Sequence, residues 1–429
     1  MASSISGAHL AKLLNFSTAL ASVGWNRFQN LYFLSLGLAP MEIGQLRSLG
    51  LALKFIGEPL WCGIADVTEP KIVYTLSLCA SIGSLEVLRG AHEVTFWTVV
   101  IVKLIRTASA PLGTLTTTAS LRLIQNSEEG YGEQRLFASL AWGCGAFFVG
   151  LLIDSFGNDS MFYFTYFFTI VSLVVVLLFM PPVLEGKKEK ANEFEPRRKK
   201  KDVFGCFSAI RSRIQMEPSD LHVYVRGMLD FLGNKRCRLI LINAIGFGTC
   251  MQIVETYLYF SIEQDYHANK AFSGLCIAFG TLSCVPVFYY SKSIMSTYGL
   301  SSMIVMSHLS FFVRILLLSL LRPSMSYATV GILFSQLFEG LNFGLFWCAS
   351  VDIISTNCPE NFDNSCMAVL NLSYKALGFG IGSYIWGILY DLCGGMTPSF
   401  YLYALGTSSI TMISLYVSKS ILDKGNGES

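Results

Sequence analysis

Charge is what this chain has least of. Asp, Glu, Lys and Arg make up 14% of its 429 residues, against about 25% in an ordinary soluble domain. Hydrophobic residues make up 52%, and mean hydropathy is +0.51. A water-soluble globular protein is thereby excluded, and a polytopic membrane protein is indicated. The net charge is only +2, so nothing points to a nucleic-acid partner. The twelve cysteines, Cys62, Cys79, Cys250, Cys276 and Cys348 among them, lie mostly in apolar segments without a CxxC pair. They read as small buried hydrophobes, not as a disulfide framework or zinc site. The five histidines (His9, His92, His222, His267, His308) are scattered, and there is no nucleophile motif or phosphate-binding loop. An enzyme, a metal centre and a bound cofactor are therefore not expected. The first residues lack the short apolar core and cleavage site of a secretory signal, so the first span is expected to act as an uncleaved insertion signal.

What is abundant is apolar length. A membrane-spanning helix needs about 20 mostly apolar residues. The stretches that qualify are 10–35, 43–65, 71–89, 94–120, 135–155, 160–181, 237–261, 271–294, 300–321, 327–354, 364–391 and 398–419. The expected fold class is an all-α membrane protein with twelve transmembrane helices in two pseudo-symmetric six-helix bundles. Most linkers are short, so neighbouring spans are antiparallel. One linker is long and sets the domains: a six-helix bundle over 1–181, a basic linker over 182–236, a second bundle over 237–420 and a tail over 421–429.

From Lys187 to Arg238 the chain carries fourteen of its 31 Lys and Arg residues. The excess of positive charge on one side places the linker and both termini in the cytoplasm, at the plasma membrane or an endomembrane. Within the linker, Asp220 to Leu232 reads as an amphipathic helix on the membrane surface or as a solvated tether. On the opposite side, Asn158-Asp159-Ser160 is a glycosylation sequon in a short loop.

The two halves repeat. Phe28 to Phe33 matches Glu255 to Phe260, and Pro59 matches Pro286, both at an offset of 227. Lys103 to Arg106 aligns with Gln336 to Glu339 at 233. Gly143, Gly145, Gly150 and Asp154 align with Gly380, Gly382, Gly387 and Asp391 at 237. The offsets only grow, as they must when loops lengthen between equivalent helices. Such a parallel repeat places a binding site between the halves near the membrane midplane.

Ile43 to Arg47, Glu58-Pro-Leu-Trp-Cys-Gly-Ile-Ala-Asp66, Tyr131 to Ser139 and the glycines ending in Gly387-Ile-Leu-Tyr-Asp391 carry a family likeness. The chain resembles major facilitator superfamily transporters. Within them it is similar to the branch of lactose permease-like sugar–proton symporters, nucleoside–proton symporters, phenylpropionate permease-like proteins and the animal major facilitator domain-containing protein 6 group. The likeness covers nearly all of the chain outside the middle linker. It implies a secondary active transporter of a small polar organic solute (a sugar, nucleoside or aromatic acid) that works by alternating access, with proton symport. A facilitative or exchange carrier of an ionic solute and a transporter-like receptor without turnover are the alternatives. The implied partners are the lipid bilayer, the solute and a proton, or sodium in its place, and the chain is expected to be a monomer. Gly63 and Asp66 fit the superfamily's loop between spans 2 and 3, but Val67 to Pro70 replaces its first basic positions. Span 5 lacks the Gly-Pro pair of many antiporters.

Ionisable residues inside a membrane are costly and mark function. Glu339 lies near the middle of span 10, with Gln336 and Asn342 three positions to either side. A desolvated carboxyl favours its protonated form, and a nearby cation restores the carboxylate, so Glu339 is a candidate proton carrier. The resemblance adds Arg314 of span 9 as its coupling partner; a static Arg314–Glu339 pair is the structural alternative. Glu255 of span 7 is a further coupling candidate. Gln252 and Tyr259 share its helical face, which the repeat maps onto Trp25, Phe28 and Tyr32 of span 1. Those residues, with Gln29, Arg106, Gln336, Asn342, Lys375 and Trp347, are candidate solute contacts, although most aromatics in such helices are packing. Asn26, Arg27, Gln29 and Asn30 make span 1 unusually polar. Arg106 is expected to meet an anionic group or Glu339, or else to be satisfied by Glu86. Lys54 and Glu58, four apart, form an intrahelical pair. Pro111 should kink span 4. Pro59, Pro286, Gly63 and Asp66 complete the gating and structural candidates.

Overall fold

The computed structural model describes residues 6–67, 70–91, 93–109, 111–123, 131–180, 218–358, 366 and 369–423. Among them there is helix and no strand. The spans, numbered 1 to 12 as in the sequence, begin with Gly7–Ser35, Pro40–Val67 and Pro70–Arg89. Span 4 is Phe96–Arg106 followed by Leu112–Leu123. Spans 5 and 6 are Tyr131–Phe156 and Asp159–Phe179. After a separate helix, Pro218–Gly233, span 7 runs Lys235–Gln264. Then come Lys270–Tyr298, Leu300–Leu320, Ala328–Thr356, Val369–Cys393 and Pro398–Asp423.

Among the described residues, eight of these, spans 3 and 5 to 11, are long and apolar enough to cross a membrane. Spans 1 and 2 are 29 and 28 residues long, but polar residues such as Arg27, Asn30, Arg47 and Lys54 dilute them. A helix with a polar face inside a bundle must present that face to protein or water.

Caps and breakers explain the boundaries. The side chain of Asn234 accepts from Arg236 N at 2.9 Å and that of Asn269 from Phe272 N at 3.0 Å, satisfying free N–H groups at the starts of spans 7 and 8. Gly394 ends span 11 with φ of 68°, a conformation that glycine adopts without cost. Span 4 breaks just before Pro111. Thr107–Ser109 form a single 3₁₀ turn there. The Thr107 and Ser109 hydroxyls donate to the carbonyls of Leu104 and Arg106 at 2.7 and 2.8 Å, as a broken membrane helix requires.

Three of the described spans contain π turns: Ile253–Tyr257 in span 7, Gly340–Gly344 in span 10 and Leu372–Gly378 in span 11. Each inserts an extra residue and rotates the rest of its helix, a distortion common at functional sites.

The halves meet through two interfaces that are copies of one another. The connections 1–2, 5–6, 7–8 and 11–12 lie on one side, called the far side; the start of span 1 and the end of span 12 lie on the other. Asp154, at the far end of span 5, accepts from Lys270 N at 2.9 Å and Ala271 N at 2.6 Å, the first amides of span 8. Its repeat partner Asp391, at the far end of span 11, accepts from Met41 N of span 2 at 2.9 Å. A carboxylate at a helix N-terminus satisfies free amides and meets the positive end of the dipole. Small residues let the backbones approach. A Cβ on Gly150 would lie 2.9 Å from Ala271 Cα, and one on Gly387 3.3 Å from Met41 Cα.

Candidate functional site

Two ion pairs lie in the interior, one within the second half and one across the halves. In the second half Arg314, whose side chain is 1% exposed, pairs with Glu339. Its other nitrogen donates to Gln336 Oε1 at 2.7 Å. With its amide oxygen turned inward, Asn342 accepts from Arg314 Nη1 at 3.1 Å. Spans 9 and 10 thus hold this guanidinium with the residues three before and three after Glu339, as helical spacing requires. The Ser307 hydroxyl donates to the Asn342 carbonyl at 2.6 Å, joining the same two spans.

The second pair crosses between the halves. Arg27 of span 1 pairs with Glu255 of span 7, and its guanidinium lies 5.5 Å from the Trp142 ring of span 5. The side chains of Arg27, Glu255 and Glu339 keep 21%, 16% and 16% exposure. All three lie roughly 12–17 Å below the far ends of their helices, at 1.5 Å per residue. Partial exposure at that depth, between packed helices, marks an internal wet space. The two pairs are within electrostatic reach of one another: Glu339 senses Arg314, Glu255 and Arg27. Glu255 senses Arg27, Arg47 and Arg314.

The π turns place these charges. Glu255 lies inside the first, Glu339 immediately precedes the second and Lys375 lies in the third, exposed. Only in the first does the register depart from the sequence expectation. Gln252 does not share the Glu255 environment. It is fully buried, and its Oε1 accepts from Ser383 of span 11 at 3.0 Å and from Thr256 at 3.1 Å. The extra residue of the π turn rotates Gln252 towards span 11 while Glu255 faces span 1. Tyr259 stays near Arg27.

Other candidates fall into packing. Phe28 is 1% and Trp25 3% exposed. Trp25 meets Phe33 edge-on at 5.7 Å, and Tyr32 meets Phe162 edge-on at 5.3 Å. Trp347 stacks on Phe343 at 5.8 Å beside Tyr374. The Gln29 amide donates to the Asn26 carbonyl of its own helix at 3.5 Å. Arg106 does not reach Glu339, whose carboxylate is occupied by Arg314, nor Glu86, which pairs with Arg89 at 3.6 Å. Instead it donates to Ser84 Oγ at 3.5 Å and lies 5.6 Å from the Trp25 ring.

Lys54 and Glu58 are 3.6 Å apart, and Thr114 of span 4 donates to Glu58. Pro286 lies inside an unbroken span 8. Asn158 sits between spans 5 and 6, its amide donating to Ser35 Oγ at 3.1 Å. Gly63 and the side chains of Pro59 and Asp66 lie outside the described residues, although span 2 is helical there.

Arg27 and Arg47 are not among the candidate site residues read from the sequence, although Arg27 is one of those that make span 1 polar. A signal existed. Arg27 and Glu255 are 228 apart, one more than the local repeat offset of 227. Repeat-related helices that flank a pseudo-twofold axis bring near-equivalent positions face to face.

Two repeats of six spans, joined at mirrored interfaces around a charged wet interior, define a membrane transporter of the major facilitator type. The chain belongs to the MFS_1 like family, whose model matches residues 20–402. It is 22% identical over 352 residues to the uncharacterized transporter YwbF of Bacillus subtilis (strain 168), an alignment covering 81% of this chain and 76% of the relative. In fold it is similar to a crystal structure of the nucleoside transporter NupG, with TM-score 0.71 and 16% identity, covering 96% of this chain and 99% of the other. It is also similar to a POT family transporter in complex with 5-aminolevulinic acid, with TM-score 0.71 and 12% identity, covering 97% and 96%.

Proposed function

We propose that this protein carries a small polar organic solute across the membrane together with a proton, by alternating access. The observation that carries the reading is the Arg27–Glu255 pair, which joins the halves beside the Arg314–Glu339 pair held within one of them. Rocking one half against the other changes the first pair and leaves the second intact. A carboxylate that loses its cation in a low-dielectric site takes a proton in its place. Glu255 is then the group that trades Arg27 for a proton as the halves separate. Glu339, which keeps Arg314 throughout, sets the local field in which Glu255 exchanges its proton.

The conformation fits one end of such a cycle. The far ends are latched by Asp154 and Asp391. Ser48 Oγ adds a bond to the Gly380 carbonyl at 2.7 Å. Towards the chain ends, spans 2 and 8 carry exposed Phe55, Ile56, Tyr289 and Tyr290. With the basic linker in the cytoplasm, this is the inward-facing state, and the far side is extracellular or lumenal.

Solute uptake into proteoliposomes, with and without an inward proton gradient, tests the reading. Symport requires accumulation above equilibrium only with the gradient. Equilibration unaffected by the gradient would leave a facilitative carrier, and binding without flux would leave a receptor.

A further inference from the structure

We propose that the transported solute is an organic anion, a carboxylate or phosphate monoester, whose acidic group is held by Arg47, Lys103 and Arg106 in the first half. The proposal rests on the transport reading and names the substrate class of the same central site.

The charges lining that site do not balance. Among the described residues, Arg27, Arg47, Lys103, Arg106 and Arg314 share it with two carboxylates, Glu255 and Glu339. Each carboxylate is already paired, with Arg27 and Arg314. Arg47 and Lys103 are within electrostatic reach of one another, and the other charge sensed by Lys103 is Arg106. Geometry agrees. The Lys103 Nζ lies 3.3 Å from where a Cβ on Gly50 would stand, and Gly50 is three residues from Arg47 on the same helical face. Among the described residues, the Arg106 guanidinium lies beside a serine hydroxyl and an indole ring.

Among the described residues, no other acid reaches the cluster. Glu58 is held by Lys54 and Thr114, and neither Lys103 nor Arg106 senses it. Glu86 is held by Arg89. Asp66, at the other end of span 2, is about 28 Å from Arg47 along the helix. An excess of three positive charges in a membrane interior is costly unless an anion enters it. The Nε groups of Arg27 and Arg314, buried without an acceptor, add two further donors at the site's edge. One acidic group bound by two or three cations uses the strongest class of hydrogen bond available to a solute.

The test uses purified full-length protein and matched pairs of probes: phenylacetate with phenylacetamide, and uridine 5′-monophosphate with uridine. Melting temperature is followed in wild type, Lys103→Met and Arg106→Gln. At least one acid is expected to raise the wild-type melting temperature while its neutral counterpart does not. Each variant should bind that acid about ten- to hundredfold more weakly. Without probe, Lys103→Met should melt no lower than wild type, because it removes an uncompensated cation. Three results would overturn the proposal: a neutral probe matching its acid, no shift with either acid, or a marked loss of stability in probe-free Lys103→Met. Vesicle uptake separates the two readings. Anion binding without uptake keeps the anion site and rejects transport; uptake of neutral probes alone keeps transport and rejects the anion site.

Discussion

Arg27 of the first half is ion-paired with Glu255 of the second, so one charge pair is shared by two bodies that must move relative to each other. The geometry predicts mutual dependence. Arg27→Gln and Glu255→Gln should each abolish gradient-driven accumulation. Exchanging the two charges, Arg27→Glu with Glu255→Arg, should recover part of it. Uptake measured in the three variants checks this, and a charge swap no better than either single change would argue that the residues act separately.

The Arg314–Glu339 pair predicts a stability effect instead. Arg314 is 1% exposed and holds Glu339, Gln336 and Asn342 together. Arg314→Met leaves the partly exposed Glu339 carboxylate in the membrane interior without its cation and should cost up to about 3 kcal/mol. Arg314→Met with Glu339→Met should recover most of that loss. Denaturation in detergent, with both variants compared with wild type, measures it.

Much of this was legible in the sequence. The span positions follow from apolar length, and the mirrored interfaces follow from the repeat of Gly150 and Asp154 in Gly387 and Asp391. That Gln336, Glu339 and Asn342 share a face follows from helical spacing, whereas Arg314 as the cation they hold came from the family resemblance. The Arg27–Glu255 pair was not read, because a pairing across halves depends on how two helices face each other about the pseudo-twofold axis. The burial of Gln252 was missed because a π turn cannot be read from periodicity. The turn at Ile253–Tyr257 breaks the 3.6-residue period on which the shared face of Gln252 and Glu255 depended.

The latch predicts a shift in conformation. Asp391→Asn and Asp154→Asn each remove a charged cap between the halves, and each should cost roughly 1 kcal/mol of the far-closed state. A cysteine placed at Ser48, whose hydroxyl donates to the Gly380 carbonyl across the interface at 2.7 Å, is shielded from the far side while the latch holds. Its alkylation from the far side should rise several-fold in either Asn variant. Unchanged labelling would mean that the glycine packing alone holds the interface.

The central claim is that Glu255 trades Arg27 for a proton. Its most direct test compares, in Glu255→Gln proteoliposomes, gradient-driven accumulation with counterflow of labelled against unlabelled solute. A permanently neutral side chain mimics the protonated state, so the account predicts that accumulation is lost while counterflow persists near the wild-type rate. Accumulation that survives the substitution would contradict it.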